Sequence, residues 1–366
     1  MKKRPVVYYV SAHGYGHGVR SCDIIRRFNV LYPDVPVVVV STLPKTLFTA
    51  RLAAPVVSFR CRSFDVGLVQ PDAVRADVAA TLEQVIRLYE QKEQLIEEET
   101  DFLRSCAAAV VVCDIPGMPF AAAARLKIPR LAVGNLSWDW IYHAFATRDA
   151  RWSPVIRRFE AEYALADLLF RLPFHGPMAA FRKIEDVPLV GRPGRPRRAE
   201  IAETLGLQDG SKKWVLLSFT ALDWEPGALQ RLAALSEYEF FAVKPAEWHA
   251  GNVHTLDPHR YPFADMVASV DAVVSKPGYG IISDCILNRK PLLYTERPAF
   301  IEYEVLVAAI RRYLRNSFIR AEDLYRGQLA DALSALWAQP FPSETIPSGG
   351  DEIVARGIAR YHPDLR

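Results

Sequence analysis

Short valine-rich runs alternate with longer segments of helical periodicity along the 366-residue chain, and this alternation limits the fold more than any other feature. Short apolar runs are typical of parallel strands buried on both faces, and the segments between them suit crossover helices. The pattern therefore predicts an α/β protein. We expect strands at positions 6–10, 35–40, 56–59, 109–113 and 131–133 in the first half, and at 214–219, 240–243, 272–275 and 292–294 in the second.

A break in this pattern at positions 187–198 divides the chain, because its three prolines and two glycines disfavour any regular element. The length also exceeds what one hydrophobic core usually serves. We expect Rossmann-like domains at 1–186 and 199–340, joined by this linker, and a tail at 341–366 whose helix could pack back on the N-terminal domain. The segment 73–105 contains no glycine or proline and predicts one long amphipathic helix.

Charge and cysteine content exclude several classes of protein. The 45 basic and 42 acidic residues are too balanced for a nucleic-acid binder. The five cysteines include no C-x-x-C pair, so reduced thiols are expected. We find no signal peptide and no apolar run near the ~20 residues of a membrane helix, which predicts a cytoplasmic protein. The arginines around the linker leave peripheral membrane contact open, although a solvated hinge is the commoner meaning of such a run.

The first expected strand leads into a loop rich in glycine and histidine at positions 11–18, SAHGYGHG, and a helical pattern starts at once. Glycines allow a tight turn and let a ligand approach backbone N–H groups at the start of a helix. Histidine has an ordinary pKa of about 6.5, so His17 is a candidate general base. His13 and Tyr15 of the same loop are candidate acceptor contacts.

Three other interpretations of this loop stay open. A dinucleotide site requires G-x-G-x-x-G and an acidic residue after the second strand, whereas this loop is G-x-G-x-G and Ser41 and Thr42 end that strand, so NAD is disfavoured. His13 and His17 have the spacing of a zinc protease but lack the intervening glutamate, so we expect no metal. The loop could also be only a tight connection between a strand and a helix.

Asp114 follows the strand expected at 109–113, at the edge where open α/β sheets bind ligands. There it could orient His17 and stabilise an imidazolium, as the carboxylate of a catalytic triad does. Asp114 could instead cap the helix that follows.

A second glycine loop follows the strand expected at 272–275 and reads SKPGYGIISD over positions 275–284. The backbone N–H groups of Gly278, Tyr279, Gly280 and Ile281 would face a diphosphate, and Lys276 adds a full positive charge. Asp284, inside the helix, could accept both hydroxyls of a ribose. The alternative is that the loop is only a turn that binds no ligand and that Asp284 lies on the helix surface.

Aromatic and polar residues concentrate at positions 135–142, NLSWDWIY, after the strand that follows Asp114. Aromatic rings stack on the C–H faces of sugars while amides and carboxylates bind hydroxyls. Asn135, Trp138 and Asp139 are therefore candidate acceptor contacts, and core packing is the alternative.

These motifs resemble a known family. GHG after the first strand, Asp114 and SKPGYGIISDCILNRKPLL are similar to GT-B nucleotide-sugar glycosyltransferases, including the peptidoglycan N-acetylglucosaminyltransferases and plant small-molecule glucosyltransferases. AHGYGHGVRS, NLSWDWIY and KPGYGIISDCILNRKPLLYTER look like the glycosyltransferase-like N-terminal region of plant L-arabinokinases and its bacterial stand-alone relatives. The resemblance spans positions 6–338 and implies two Rossmann-like domains with parallel sheets facing a central cleft.

The resemblance also assigns roles to individual residues. It implies that His17 is the base, Asp114 its orienting carboxylate and Lys276 the phosphate ligand. Asp284 takes the place of a ribose-binding glutamate, with a shorter side chain. By the same resemblance, Thr220 lies beside the donor phosphates, and Glu302, Tyr303 and Glu304 occupy the stretch that holds the sugar hydroxyls.

Together these patterns predict a metal-independent, inverting glycosyltransferase of the hexosyltransferase type. It would move a sugar from a nucleotide diphosphate donor, by resemblance a UDP-sugar, to a hydroxyl acceptor that is a small molecule, a glycan or a lipid-linked sugar, with no other cofactor. The alternatives are a nucleotide-sugar 2-epimerase of the same fold and a non-catalytic sugar-nucleotide sensor.

Overall fold

A computed structural model describes residues 3–52, 57–71, 75–207, 210, 212–298 and 300–365. Position 56, where a strand was expected to start, and position 73, where the long helix was expected to start, lie outside these ranges.

The N-terminal half forms a parallel sheet of seven strands in the order β3-β2-β1-β4-β5-β6-β7 within the described residues. The strands are β1 (Val6–Val10), β2 (Val37–Val40), β3 (Val57–Arg60), β4 (Val110–Asp114), β5 (Arg130–Gly134), β6 (Leu168–Arg171) and β7 (Ile184–Asp186). The order reverses between β1 and β4, which pair with Val6 opposite Val110.

The C-terminal half forms a parallel sheet of six strands, within the same ranges, in the order β10-β9-β8-β11-β12-β13. The strands are β8 (Lys213–Ser218), β9 (Tyr238–Val243), β10 (Val253–Leu256), β11 (Ala272–Ser275), β12 (Leu292–Thr295) and β13 (Asn316–Ile319). Here the order reverses between β8 and β11. The predicted α/β fold with two parallel sheets is confirmed.

Helices cover both faces of each sheet, as buried parallel strands require. In chain order they are α1 (Tyr15–Leu31), α2 (Lys45–Thr49), α3 (Val78–Glu90), α4 (Lys92–Ser105), α5 (Pro119–Arg125), α6 (Trp138–His143), α7 (Trp152–Tyr163), α8 (Arg198–Leu205), α9 (Ala228–Ala233), α10 (Phe263–Ser269), α11 (Tyr279–Leu287), α12 (Glu302–Tyr313), α13 (Ala321–Tyr325), α14 (Ala330–Ala338) and α15 (Gly350–Tyr361).

The single long helix predicted for 73–105 is wrong. Gln91, with φ −95° and ψ 6°, interrupts the helix and separates α3 from α4. No glycine or proline marks this break, so the sequence pattern does not predict it. Four strands were not predicted from the sequence, because they are three or four residues long and carry polar side chains or follow weak patterns: β6, β7, β10 and β13.

The last helix, α15, packs on the N-terminal half of the molecule. Val354, Ala355 and Ile358 belong to the same buried cluster as β1. The linker is fixed to the segment before this helix, since the backbone N–H of Leu189 donates to Pro347 O at 2.9 Å. The chain therefore returns to its first domain after completing the second sheet.

The arginines around the linker are largely paired with acidic side chains. Arg197 lies 2.8 Å from Asp265, and Arg198 lies 2.9 Å from Asp271. These pairs tie the linker to the C-terminal half and reduce the positive charge available to an anionic surface. Within the described part of the chain, no helix is long and apolar enough to cross a membrane.

Candidate active site

The candidate residues lie where the strand order of each sheet reverses. His17 follows β1 and Asp114 ends β4, and these two strands are neighbours at the reversal of the first sheet. Thr220 follows β8 and Lys276 follows β11, at the reversal of the second sheet. Open α/β sheets bind ligands in the crevice outside the carboxyl ends of such strands, so the topology supplies two half-sites.

His17 and Asp114 form a buried pair. Nδ1 of His17 lies 2.8 Å from Oδ1 of Asp114, and the two residues are 7% and 0% exposed. Arg20 Nη2 also lies 2.9 Å from Nδ1, but an ionised carboxylate only accepts hydrogen bonds, so the shorter contact with Asp114 favours the tautomer in which Nδ1–H donates and Nε2 carries the lone pair. Asp114 does not cap the following helix, because α5 begins at Pro119 with Met118 as its cap.

Arg20 completes this cluster and was missed by the sequence analysis. Its Nε donates to Asp114 Oδ2 at 2.7 Å and its Nη2 donates to Oδ1 at 2.6 Å, so the guanidinium binds the carboxylate at two points. The side chain of Arg20 is only 5% exposed. Ser21 Oγ donates to Oδ2 at 3.0 Å. Burial alone would raise the pKa of Asp114, but the charge and hydrogen bonds of Arg20, with those of His17, outweigh it and hold the pKa well below its usual value. Asp114 is therefore ionised at neutral pH.

The two glycine loops meet across the interface between the halves. A Cβ placed on Gly280 would lie 3.6 Å from Cα of Gly16, so the two turns are in van der Waals contact. Helices α1 and α11 pack side by side at this point. Tyr279 is 6% exposed, its hydroxyl accepts from the backbone N–H of Val190 at 3.2 Å, and its ring lies under the guanidinium of Arg20 at 5.3 Å. The two loops therefore meet at the interface between the halves.

A buried hydrogen-bond chain also joins the halves. Nη1 of Arg20 donates to Asn135 Oδ1 at 2.7 Å, and Nδ2 of Asn135 donates to Glu302 Oε1 at 2.7 Å. Glu302 is 3% exposed at the start of α12, whereas Tyr303 is half-buried and Glu304 is exposed. Among the three residues predicted near the sugar, Glu302 is thus the one that points into the interface.

His13 lies beside His17, with ring centroids 6.5 Å apart. Its Nδ1 accepts from the backbone N–H of Leu68 at 3.0 Å, and its ring stacks on Phe300 at 5.9 Å. Burial, and then the positive charges of Arg297, His17 and Lys276, lower the pKa of His13 well below its usual value. His13 is therefore neutral, and its Nε2 has no hydrogen-bond partner among the described residues.

The aromatic cluster lies mainly in the core. Trp138 and Tyr142 have no exposed surface and stack on each other at 5.7 Å. The position of Trp138 departs from its predicted role as an acceptor contact, because its indole packs inside and its Nε1 donates to Asp65 Oδ2 at 2.8 Å. Asp139 is 8% exposed, and burial raises its pKa. Tyr15, in contrast, is 45% exposed at the start of α1.

On the donor side, Thr220 is exposed, while Lys276, Gly278, Gly280 and Ile281 are half-buried. Gly278 caps α11 with an extended backbone, and no atom would lie within 4 Å of a Cβ added there, so the start of this helix is open to a ligand.

Asp284 is half-buried on α11 and faces α1 of the other half. Burial, and then the negative charge of Asp23, raise the pKa of Asp284 from 3.8 to about 7, against the opposing charge of Arg51. Because the native protein holds a proton here that the unfolded chain releases near pH 4, stability falls as the pH rises from 4 to 7.

Replacing Asp284 with asparagine is therefore expected to stabilise the protein by about 2 kcal/mol more at pH 8 than at pH 5, since the amide cannot ionise. Urea unfolding at both pH values measures this difference. Glu304→Gln, which removes an exposed carboxylate from α12, is the control. Equal effects of Asp284→Asn at the two pH values would contradict the assignment.

Sequence reasoning missed three charged residues in this region: Arg20, Asp65 and Arg297. Arg20 lies one turn after His17 on α1, so helical periodicity alone could have placed both side chains on one face. Asp65 and Arg297 follow β3 and β12, at the carboxyl edges of the two sheets. Asp114 was predicted as a site residue because it follows a strand at the edge where open α/β sheets bind ligands, and the same reasoning applies to Asp65 and Arg297.

No protein-family model matches the chain. L-arabinokinase from Arabidopsis thaliana is 29% identical over 334 residues, which cover 88% of this chain but only 31% of that protein. The chain thus spans about a third of the length of this relative.

Solved structures align over nearly the whole chain. The glycotransferase of kitacinnamycin aligns with a TM-score of 0.61 at 16% identity, over 99% of this chain and 100% of its own. UGT89C1 from Arabidopsis thaliana, complexed with UDP, gives 0.61 at 14% identity over 98% and 100%. UGT2 from Phytolacca americana, complexed with UDP-2fluoro-glucose and pterostilbene, gives 0.60 at 13% identity over 98% and 94%. The chain has the GT-B fold. The predicted fold class is confirmed, and the two glycine loops are in contact where the two halves meet.

Proposed function

We propose that this GT-B chain is a glycosyltransferase that moves a sugar from a nucleotide diphosphate donor to a hydroxyl acceptor. The observation that supports this most is the contact between the two loops. The loop that carries His17, paired with Asp114, is in contact with the glycine turn that follows Lys276, which supports a joint site. Transfer needs a base at the acceptor and positive charge at the leaving group, and this arrangement offers both.

On the acceptor side, Nε2 of His17 takes the proton from the attacking hydroxyl. The acceptor oxygen forms a bond to the anomeric carbon while the bond from that carbon to the diphosphate oxygen breaks. Asp114 fixes the tautomer through Nδ1–H and stabilises the imidazolium, as a triad carboxylate does. Attack opposite to the leaving group inverts the anomeric carbon, so inversion is part of the proposal.

On the donor side, Lys276 and the first N–H groups of α11 hold the leaving diphosphate. A helix N-terminus carries partial positive charge, and the lysine adds a full one, so the negative charge can be stabilised without a metal ion. Asp284 would accept the ribose hydroxyls, and Glu302 lies at the position for the sugar. The relatives complexed with UDP and with UDP-2fluoro-glucose support a UDP-sugar as the donor.

UDP is expected to raise the thermal unfolding temperature, whereas GDP and NAD are not. A ligand at 100 times its dissociation constant stabilises the native state by about 2.7 kcal/mol, which a dye-based melting assay resolves. Asp284→Asn is expected to reduce the shift with UDP. A shift with NAD but none with UDP would contradict the proposal. Conversion of UDP-N-acetylglucosamine to its epimer without an acceptor would favour the 2-epimerase instead.

A further inference from the structure

Arg297 is a buried cation in the crevice that the proposed reaction does not use. It follows β12 and is only 8% exposed. Its guanidinium carbon lies 3.4 Å from the centre of the Phe300 ring. Nε is buried and has no hydrogen-bond partner among the described residues. A planar donor fork held in place on an aromatic ring is suited to binding an oxyanion at two points.

Among the residues that the structure describes, no carboxylate is in contact with the guanidinium of Arg297. Within the described ranges, no ion pair includes Arg297. Glu302 is close enough to influence it, but the Oε1 of Glu302 already accepts from Asn135. Burial lowers the pKa of Arg297 to about 10, so the group still carries its charge at neutral pH. A buried guanidinium without a partner is costly, and an anionic ligand would supply the missing partner.

The position of Arg297 indicates which part of a substrate it would meet. The Phe300 ring under Arg297 stacks on the ring of His13 at 5.9 Å, and the ring of His13 lies 6.5 Å from that of His17, so Arg297 lies near the proposed base. In the proposed reaction, Lys276 binds the diphosphate and His17 faces the acceptor. The sugar being transferred must lie between them, in the space that Arg297 borders.

We propose that the transferred sugar carries a carboxylate and that Arg297 binds it, so that the donor is a nucleotide-diphosphate uronic acid. This inference rests on the proposed function and adds the class of sugar to it. A neutral hexose would leave the guanidinium without a partner, whereas a carboxylate on the sugar ring would accept two N–H groups from it.

The test compares the binding of UDP, UDP-glucose and UDP-glucuronic acid by calorimetry to the full chain and to Arg297→Met, which keeps the apolar part of the side chain. The unmodified chain is expected to bind UDP-glucuronic acid about 10- to 100-fold more tightly than UDP-glucose, as for hydrogen bonds to a charged group. Arg297→Met is expected to lose this preference while binding UDP as before. Arg297→Lys should keep part of the preference, and Arg312→Met, which removes an exposed arginine of α12, should keep all of it.

The outcomes separate the possible sources of the anion. Equal binding of the two UDP-sugars to the unmodified chain would overturn the inference while leaving the proposed function intact. Equal loss of UDP binding in Arg297→Met would show that the guanidinium serves the diphosphate, which also overturns it. No binding of any nucleotide diphosphate would instead contradict the proposed function itself. Unchanged UDP binding by Arg297→Met also shows that this variant folds.

Discussion

His17→Ala is expected to lower the rate of sugar transfer by about 10²- to 10⁴-fold, the usual contribution of a general base. The dissociation constant for UDP should stay within about twofold, because the diphosphate would be bound by the other wall of the crevice. The physical reason is the lone pair on Nε2, which Asp114 fixes by accepting from Nδ1. Product formation measured with a UDP-sugar and a panel of hydroxyl acceptors gives the rate, and calorimetry with UDP gives the affinity.

The control for this prediction is His259→Ala, which removes an exposed histidine from the C-terminal domain. It should change neither the rate nor the affinity. Loss of UDP binding in His17→Ala would show that the histidine serves the donor, in contradiction to the proposed role. Unchanged cellular activity of His17→Ala would favour the non-catalytic sensor over the transferase.

The sequence predicts the parts of this site that depend on local signals. A strand followed by a glycine turn and a helix is a local pattern, and it placed His17, Asp114 and Lys276 at the carboxyl ends of β1, β4 and β11. The sequence could not show that Arg20 binds a carboxylate 94 positions away. That contact requires knowing that β1 and β4 are neighbours.

The sequence also does not show which side chains of a motif are buried. Trp138 and Asp139 are adjacent in the sequence motif, yet the indole of Trp138 has no exposed surface while Tyr15, in a different loop, is 45% exposed. Which side of a short helix faces the core depends on the neighbouring elements, here Asp65 after β3. The end of α3 at Gln91 is likewise not marked by a glycine or proline.

The chain from Arg20 through Asn135 to Glu302 has a consequence for domain movement. Both of its hydrogen bonds are 2.7 Å long, the one from Asn135 to Glu302 crosses from one half of the molecule to the other, and all three residues are at most 5% exposed. Opening the crevice would break the bond between Asn135 and Glu302. The same arginine orients Asp114, so closure of the domains and the geometry of the base depend on one side chain.

Asp114→Ala is expected to destabilise the protein by about 3–5 kcal/mol, because it leaves the buried guanidinium of Arg20 without its carboxylate. The stabilising contribution of Asp114 should be present above its ordinary pKa of 3.8 and lost as the pH falls through its lower native pKa, since its pKa is depressed on folding. Urea unfolding followed by tryptophan fluorescence at pH 7 measures the free energy of unfolding. Asp186→Ala, which breaks an exposed pair with Arg171, is the control and should have a much smaller effect.

A double-mutant cycle separates pairing from simple loss of packing. Arg20→Met alone should also destabilise, because the carboxylate of Asp114 then keeps only His17 and Ser21 as partners. If charge pairing dominates, the double variant Arg20→Met with Asp114→Ala will be less destabilised than the sum of the single variants, since neither buried charge is left alone. Additive effects would show that the two side chains stabilise the fold independently, and would contradict the view that Arg20 is present to hold Asp114 ionised beside the base.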